Sequence, residues 1–277
     1  MFIYTHNLHP VLFSIDIAGL HLELRWYSLA YIFGLLIANY WLKYCNKKSA
    51  ILSEKAYENW LIFAILGIVL GGRLGYVLFY QPQYYLQNPL DILKVWQGGM
   101  SFHGGLAGSI IAMFYFSKHY QIPHFWLFDR LAVIAPVGLF FGRVANFING
   151  ELYGRISYGF IGVIFSYSDN LPRHPSQLYE AILEGFLLFI IMFCAFFYKN
   201  NYFAEKKPKF LSGLFLIGYS LARSLVEFFR QPDEQIGFLW QFFTLGQILS
   251  LPTLILGCYL AFLSFSKNAS TNTISHV

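Results

Sequence analysis

The sequence predicts an all-α, polytopic membrane protein with about seven transmembrane helices, and three observations carry that expectation. Hydrophobic residues make up 57% of the 277 residues and charged ones only 12%, about half the charged share of a soluble domain. The apolar residues fall into seven stretches, each near the ~20 residues a helix needs to cross a bilayer. Lysines gather in alternate connections between those stretches, as topology demands of a membrane chain. The net charge of +5 is spread over these connections and forms no nucleic-acid patch. Cys45, Cys194 and Cys258 lie far apart and read as buried free thiols.

The seven spans are expected at about 22–42, 60–80, 98–117, 126–147, 178–198, 211–229 and 238–263, within one integral membrane domain covering 1–277. The first starts too late, and lacks the basic flank and cleavage signal, to be a removable signal peptide. Continuous Phe, Leu and Ile runs exclude the short alternating segments of a transmembrane barrel. The third span carries Gly98, Gly99, Gly104, Gly105 and Gly108 around His103, which suits close helix packing. Between spans four and five, residues 148–177 hold Gly150, Gly154, Gly159, Gly162, Pro172 and Pro175 among alternating Tyr158, Phe160, Phe165 and Tyr167. That pattern predicts a small, hairpin-like extracytoplasmic element.

Orientation follows from the lysines. Lys43, Lys47, Lys48 and Lys55 follow span one, Lys118 follows span three, Lys199, Lys206, Lys207 and Lys209 follow span five, and Lys267 follows span seven. The other side has Arg25, Lys94, Arg155, Arg173 and Arg230. The positive-inside rule therefore puts the N-terminus outside and the C-terminus in the cytoplasm.

With direction assigned, the ionisable residues inside the spans acquire depths. Tyr27, Arg73, His103, Arg143 and Arg223 all fall roughly 5–10 Å below the outer surface at ~1.5 Å per residue. Asn146 stands one turn beyond Arg143, and Tyr219 and Glu227 flank Arg223 at i−4 and i+4. Charges at one depth in hydrocarbon read as a site. Arg73 taken alone also fits snorkelling or a structural salt bridge, and His103 also fits a packing histidine. Glu227 reads as the ion-pair partner of Arg223 or Arg230. Glu180 and Glu184 read either as a water-accessible face or as a carboxylate pair. Arginines at outer-leaflet depth, with neither His/Cys metal spacing nor a Walker lysine, suit a phosphate held by planar, bidentate donors. The ligand that supplies phosphate at that depth is a phospholipid.

The blocks RWYSLAY (25–31), GGRLGY (71–76), GGMSFHGGLAG (98–108), GRVANFINGELYGR (142–155), RHPSQLYE (173–180) and LARSLVEFFRQPD (221–233) resemble, in the right order, those of the bacterial prolipoprotein diacylglyceryl transferases. The resemblance implies an enzyme of the bacterial inner membrane with its site toward the periplasm. Its partners would be phosphatidylglycerol and preprolipoproteins, whose lipobox cysteine thiol receives the diacylglyceryl group as glycerol 1-phosphate leaves. It marks His103, Arg143 and Arg223 for catalysis and Tyr27, Arg73, Asn146, Glu151, Gly154 and Tyr219 for substrate binding, with Glu180 also family-like. Chemically, the arginines would hold the phosphodiester, and His103 is the best candidate to take the thiol proton. An arginine field that depresses the cysteine pKa is the alternative. The substitution calls for no metal or organic cofactor. Two other classes compete: an anion or lipid transporter, although no inverted repeat supports it, and a non-catalytic signal-peptide chaperone.

Overall fold

The computed structural model describes residues 2–17, 20–159, 161–165, 168–232 and 243–266. The chain clusters into two compact units, one drawn from the stretches Met1–Tyr40 and Asp129–Val277, the other spanning Trp41–Phe128. Helices dominate both.

The first unit opens with β1 (Phe2–His6), β2 (Val11–Ile17) and β3 (Leu20–Arg25), followed at once by α1 (Trp26–Ser49), which runs into the second unit. The expected first span began at 22, but residues 22–25 are strand. The reason lies in the sequence: Leu20, Leu22 and Leu24 alternate with His21, Glu23 and Arg25, a period of two that suits a strand paired with β2. Strands β1, β2 and β3 go beyond the helical expectation for this end of the chain. The unit continues from Asp129, in the second turn of α5 (His124–Asn149), through β4 (Ile161–Phe165), β5 (Pro172–Arg173) and α6 (Ser176–Glu180). After α6 come a π-helical turn (Ala181–Leu187), α7 (Leu188–Phe197), α8 (Tyr202–Lys206), α9 (Phe210–Val226) and α10 (Leu245–Phe265).

The hairpin-like element expected at 148–177 takes shape as β4 pairing antiparallel with β5, but β1 also adds to β4 in parallel, giving the order β1-β4-β5. Buried His6 anchors this sheet, its Nε2 lying 2.8 Å from the Phe147 carbonyl near the end of α5. At the opposite end of α5, buried Asp129 accepts bonds from the Lys209 and Ser212 amides, each at 2.8 Å, and so caps the start of α9. The core between α7 and α9 includes Leu188, Met192, Phe196, Leu211 and Val226.

In the second unit α2 (Glu54–Phe79) packs on α4 (Phe102–His119). Between them run α3 (Pro82–Gln87) and two short 3-10 turns, Pro89–Leu93 and Val95–Gln97. Gly67, Gly71 and Gly75 on α2 meet Gly104 and Gly108 on α4. A Cβ placed on Gly75 would lie 2.7 Å from the Gly104 Cα, so only glycine permits this approach. The glycines that weaken the third apolar stretch as a helix therefore set its packing. Its helix starts at Phe102 rather than 98, because Gly98 and Gly99 hold positive φ of 84° and 75° and Ser101 caps the first turn.

Each of the seven expected stretches holds a helix. Among the described residues, Glu54–Phe79, His124–Asn149, Ser176–Phe197 and Leu245–Phe265 are long and apolar enough to cross a membrane, and Phe210–Val226 is a shorter apolar helix. Leu78, Ile111, Ile255 and Phe262 are exposed on α2, α4 and α10, the outward apolar surface that suits lipid. The last stretch begins as helix at Leu245; its expected first residues, 238–242, lie outside the described residues, as do Phe160, Tyr167, Asp233 and Lys267.

Candidate active site

Within the first unit, the site is assembled from the end of α5 outward. Gly150, at φ 69°, stops the helix and turns the chain back, so that the Glu151 amide donates to the Asn146 carbonyl at 3.1 Å. The Glu151 carboxylate then accepts from the side-chain amides of Asn146 at 2.7 Å and Asn149 at 3.2 Å. An acid at a helix C-terminus opposes the macrodipole, and these two amides offset that cost. Gln177 and Ser176, at the start of α6, pin the turn from below by donating to the carbonyls of Glu151 (2.6 Å) and Leu152 (3.0 Å).

One turn before Asn146, Arg143 faces two carboxylates. Its Nε lies 3.3 Å from Glu180 and its Nη2 3.2 Å from Glu184. Four residues apart and continued through the π-helical turn, both glutamates project to one face and are completely buried. Arg223 of α9 meets the same pair: its Nη1 is bonded to Glu180 and lies 3.7 Å from Glu184, while its Nη2 pairs with Glu227. Arg230 completes the group, 3.2 Å from Glu180 and 3.8 Å from Glu227. Three guanidiniums thus face three carboxylates.

The two kinds of charge are not equally accessible. The side chains of Arg143 and Arg223 are 17% and 13% exposed, whereas those of Glu180 and Glu184 are at 0%. The carboxylates form a floor and the arginines lie over it. Among the described residues, neither Arg143 Nη1 nor Arg223 Nε has a partner, so each arginine keeps a donor for a further anion. Tyr27 lies within the electrostatic field of Arg143 and Glu151, and Tyr219 within that of Arg143, Arg223, Glu180 and Glu184. The structure therefore brings Tyr27, Arg143, Asn146, Glu151, Tyr219 and Arg223 into one unit.

Gly154 belongs to the same neighbourhood for a different reason. It bridges to Arg230, its amide donates to the His174 carbonyl at 2.9 Å, and a Cβ there would lie 2.5 Å from the Phe229 oxygen and 2.6 Å from the His174 oxygen. A backbone that must come this close explains the glycine; contact with a substrate is not required. Next to it, Arg155 donates to the carbonyls of Arg230 (3.0 Å) and Glu227 (3.2 Å), capping the end of α9. That capture is why α9 ends at Val226 rather than at the expected 229. On the adjoining hairpin, the Arg173 guanidinium beside Asp169, with the Ser168 hydroxyl, holds its carboxyl well below the usual carboxylate range.

Arg73 and His103 belong to the second unit. Arg73 is buried and gives its donors to main-chain oxygens: Asp91 at 2.5 Å, Gly98 at 2.6 Å, Ile92 at 2.9 Å and Gly99 at 3.3 Å. It lies over the Tyr85 ring, 5.1 Å from the centroid. This is the geometry of a clamp on residues 91–99, which the expectation of a substrate ligand did not foresee. His103 is the second residue of α4, exposed, with Ser101 capping the turn that carries it.

Sequence reasoning had named Glu180 as family-like and Glu227 as a partner of Arg223 or Arg230; it pairs with both. It leaves Glu184 undecided, and it names Arg230 as an outer-side cation and a candidate partner of Glu227 without joining it to Glu180. The available signal was charge balance, since two carboxylates one turn apart in a span need cations at their own depth.

A family model described as prolipoprotein diacylglyceryl transferase matches residues 10–263 of the chain. Relatives named phosphatidylglycerol–prolipoprotein diacylglyceryl transferase include that of Rickettsia bellii, 49% identical over 255 residues, covering 92% of this chain and 94% of the relative. Those of Rickettsia felis and Rickettsia canadensis are each also 49% identical, covering 92% and 91% of this chain and 96% and 95% of theirs.

Proposed function

Because the chain belongs to the prolipoprotein diacylglyceryl transferase family, we propose that it transfers the diacylglyceryl group of phosphatidylglycerol to prolipoproteins, the first step of their maturation. The acceptor is the lipobox cysteine. Its thiolate attacks the glyceryl CH2 bonded to phosphate oxygen, the C–O bond breaks, a thioether forms and glycerol 1-phosphate leaves. The observation that carries this reading is the pair of partly exposed arginines, Arg143 and Arg223, each with an uncommitted donor above a carboxylate floor. Such a pair can grip a phosphodiester and stabilise the charge that grows as the C–O bond breaks. Arginine stays charged and takes no proton. Asn146, Glu151, Tyr27 and Tyr219 orient the head group and the arginines, while Gly154 and Arg73 serve by holding backbone in place.

The thiol proton goes to His103, because thiolate is the reactive form of the acceptor and the arginines take no proton. The test is purified protein incubated with phosphatidylglycerol and a lipobox peptide, with the peptide's mass as readout. The wild type should add the diacylglyceryl mass; no addition would refute the activity. His103→Gln should bind lipid but transfer roughly 100-fold slower, the scale of positioned base catalysis, with partial recovery at higher pH as more cysteine ionises. Lost lipid binding with an unchanged pH profile would reassign His103 to positioning.

The seven apolar stretches cross the bacterial inner membrane with the N-terminus periplasmic, the C-terminus cytoplasmic and the site toward the periplasmic leaflet. The lysine asymmetry supports this orientation. Cysteines replacing Lys48 and Lys206 should resist an impermeant thiol reagent in intact cells, while Tyr158→Cys, at a residue 91% exposed on the loop after α5, should react. The reverse pattern would invert the orientation.

A further inference from the structure

Three arginines and three glutamates make the cluster formally neutral before any ligand arrives, but the three carboxylates are not held alike. Glu180 meets Arg143, Arg223 and Arg230, and Glu227 meets Arg223 and Arg230. Glu184 is held most loosely. One oxygen lies 3.2 Å from Arg143 Nη2, and the other lies 3.7 Å from Arg223, with no hydrogen-bond partner among the described residues. Glu180 Oε2 also lacks a hydrogen bond among the described residues, but it lies 3.3 Å from Arg143 Nε, closer to a cation than the 3.7 Å of Glu184 Oε1; burying a carboxylate oxygen so weakly held is costly and calls for a reason. The groups around it are Arg143 on α5, Arg223 and Tyr219 on α9, and Glu180 on its own helix. Glu184 is wholly buried behind both arginines, so it acts on a ligand only through them.

Resting on the transferase reading above, we infer that Glu184 is a positioning residue whose charge limits how tightly Arg143 and Arg223 hold phosphate, and thereby sets the release of the phosphate-bearing product. The substrate phosphodiester carries one negative charge. The product is a phosphate monoester, whose second ionisation falls near pH 6, so it carries up to two. A fixed carboxylate a few ångströms behind the arginines therefore opposes product more than substrate. Without it, the cluster gains one unit of positive charge and product dwells longer. A unit charge at such a distance in a partly buried site changes anion affinity by about tenfold or more.

The nearly isosteric variant Glu184→Gln tests this in the purified full chain. Steady-state transfer should show a lower kcat with no rise in KM for phosphatidylglycerol. Direct binding of glycerol 1-phosphate should tighten by about tenfold or more. Glu184→Asp keeps the charge but draws it back by one methylene, and its product affinity should fall between the two. A purely structural role predicts a raised KM with product binding unchanged or weaker in both variants, and that result overturns the inference. Should Glu184→Gln not fold, an unchanged product affinity in folded Glu184→Asp with reduced kcat also overturns it. The two readings fail separately: a wild type that makes no lipidated peptide refutes the transferase, whereas normal wild-type transfer with unaltered product binding in the variants refutes only the role of Glu184.

Discussion

Arg73 and Arg143 begin alike. Each sits in an apolar helix directly after a glycine, and each is largely shielded from solvent. Their guanidiniums meet different chemistry. Arg73 donates to four main-chain carbonyls of its own unit, which carry no formal charge and take up its donors. Arg143 faces two carboxylates and retains Nη1 without a partner among the described residues. An intramembrane arginine is costly either way. In one case the cost secures a loop, and in the other it maintains a neutralised cation with a donor to spare. Depth in the span does not separate the two roles; the identity of the partners does.

The contrast breaks most visibly under lysine substitution, which keeps charge and removes the planar fork. Arg143→Lys should lower transfer by about 100-fold or more, the scale of losing a charge-stabilising donor, while leaving the thermal midpoint close to wild type. Arg73→Lys should do the opposite. Two or more part-buried carbonyls lose their donor, costing at most about 1–3 kcal/mol each where water does not replace it, and transfer per folded molecule should fall far less. Unfolding midpoints and transfer rates normalised to folded protein read both effects. Equal losses of rate with equal losses of stability would abolish the distinction.

Gly154 sharpens the comparison, because it serves the arginine cluster without presenting a side chain. Ala at this position would press its Cβ against the Phe229 and His174 oxygens and displace the turn after α9 that carries Glu227 and Arg230. Overpacking of this kind costs about 1–3 kcal/mol, and displacement of the Arg223 partners should slow transfer by about tenfold or more. Unaltered stability and rate in Gly154→Ala would mean that the backbone approach is looser than the geometry indicates.

Legibility in the sequence followed the range of the contacts. Arg143, Asn146 and Glu151 lie within nine residues, and one helix end unites them, so their grouping was visible from spacing alone. The pairing of Glu227 with Arg223 is an i,i+4 contact and was equally visible. Strand β3 was legible as a period-two alternation but was hidden beneath the hydrophobicity of the stretch that follows it. The parallel pairing of β1 with β4 sets Phe2 opposite Ile161, and no local pattern signals a partner that distant. Glu184 was visible as a buried charge in search of a cation, but which arginine it would meet depends on how three helices pack. The hold of Arg73 on residues 91–99 was not legible, because main-chain carbonyls leave no mark in a sequence.

The smallest expected effect concerns an ion pair that resembles those of the cluster in chemistry and differs in exposure. Arg173 grips Asp169 with two bonds, Nη2 at 2.6 Å and Nε at 3.1 Å, and its remaining nitrogen reaches the Gly154 carbonyl at 3.1 Å. Asp169 is solvent-exposed, so screening leaves the pair little influence on global stability. Its effect should be local. The folded carboxyl titrates below its unfolded value, so its contribution is fully present above the ordinary carboxylate range, near pH 4, and is lost as pH falls through the lowered folded value. Hydrogen exchange across β4, β5 and Gly154 should therefore quicken in strong acid, while exchange in α7 and α9 should hold steady over the same interval. Asp169→Asn should bring the faster exchange to neutral pH with transfer within about twofold of wild type, the small effect expected of a surface pair. A large loss of transfer in that variant would show that the hairpin turn governs the placement of Gly154 and, through it, the arginine cluster, so that exposure alone would not distinguish a dispensable ion pair from an essential one.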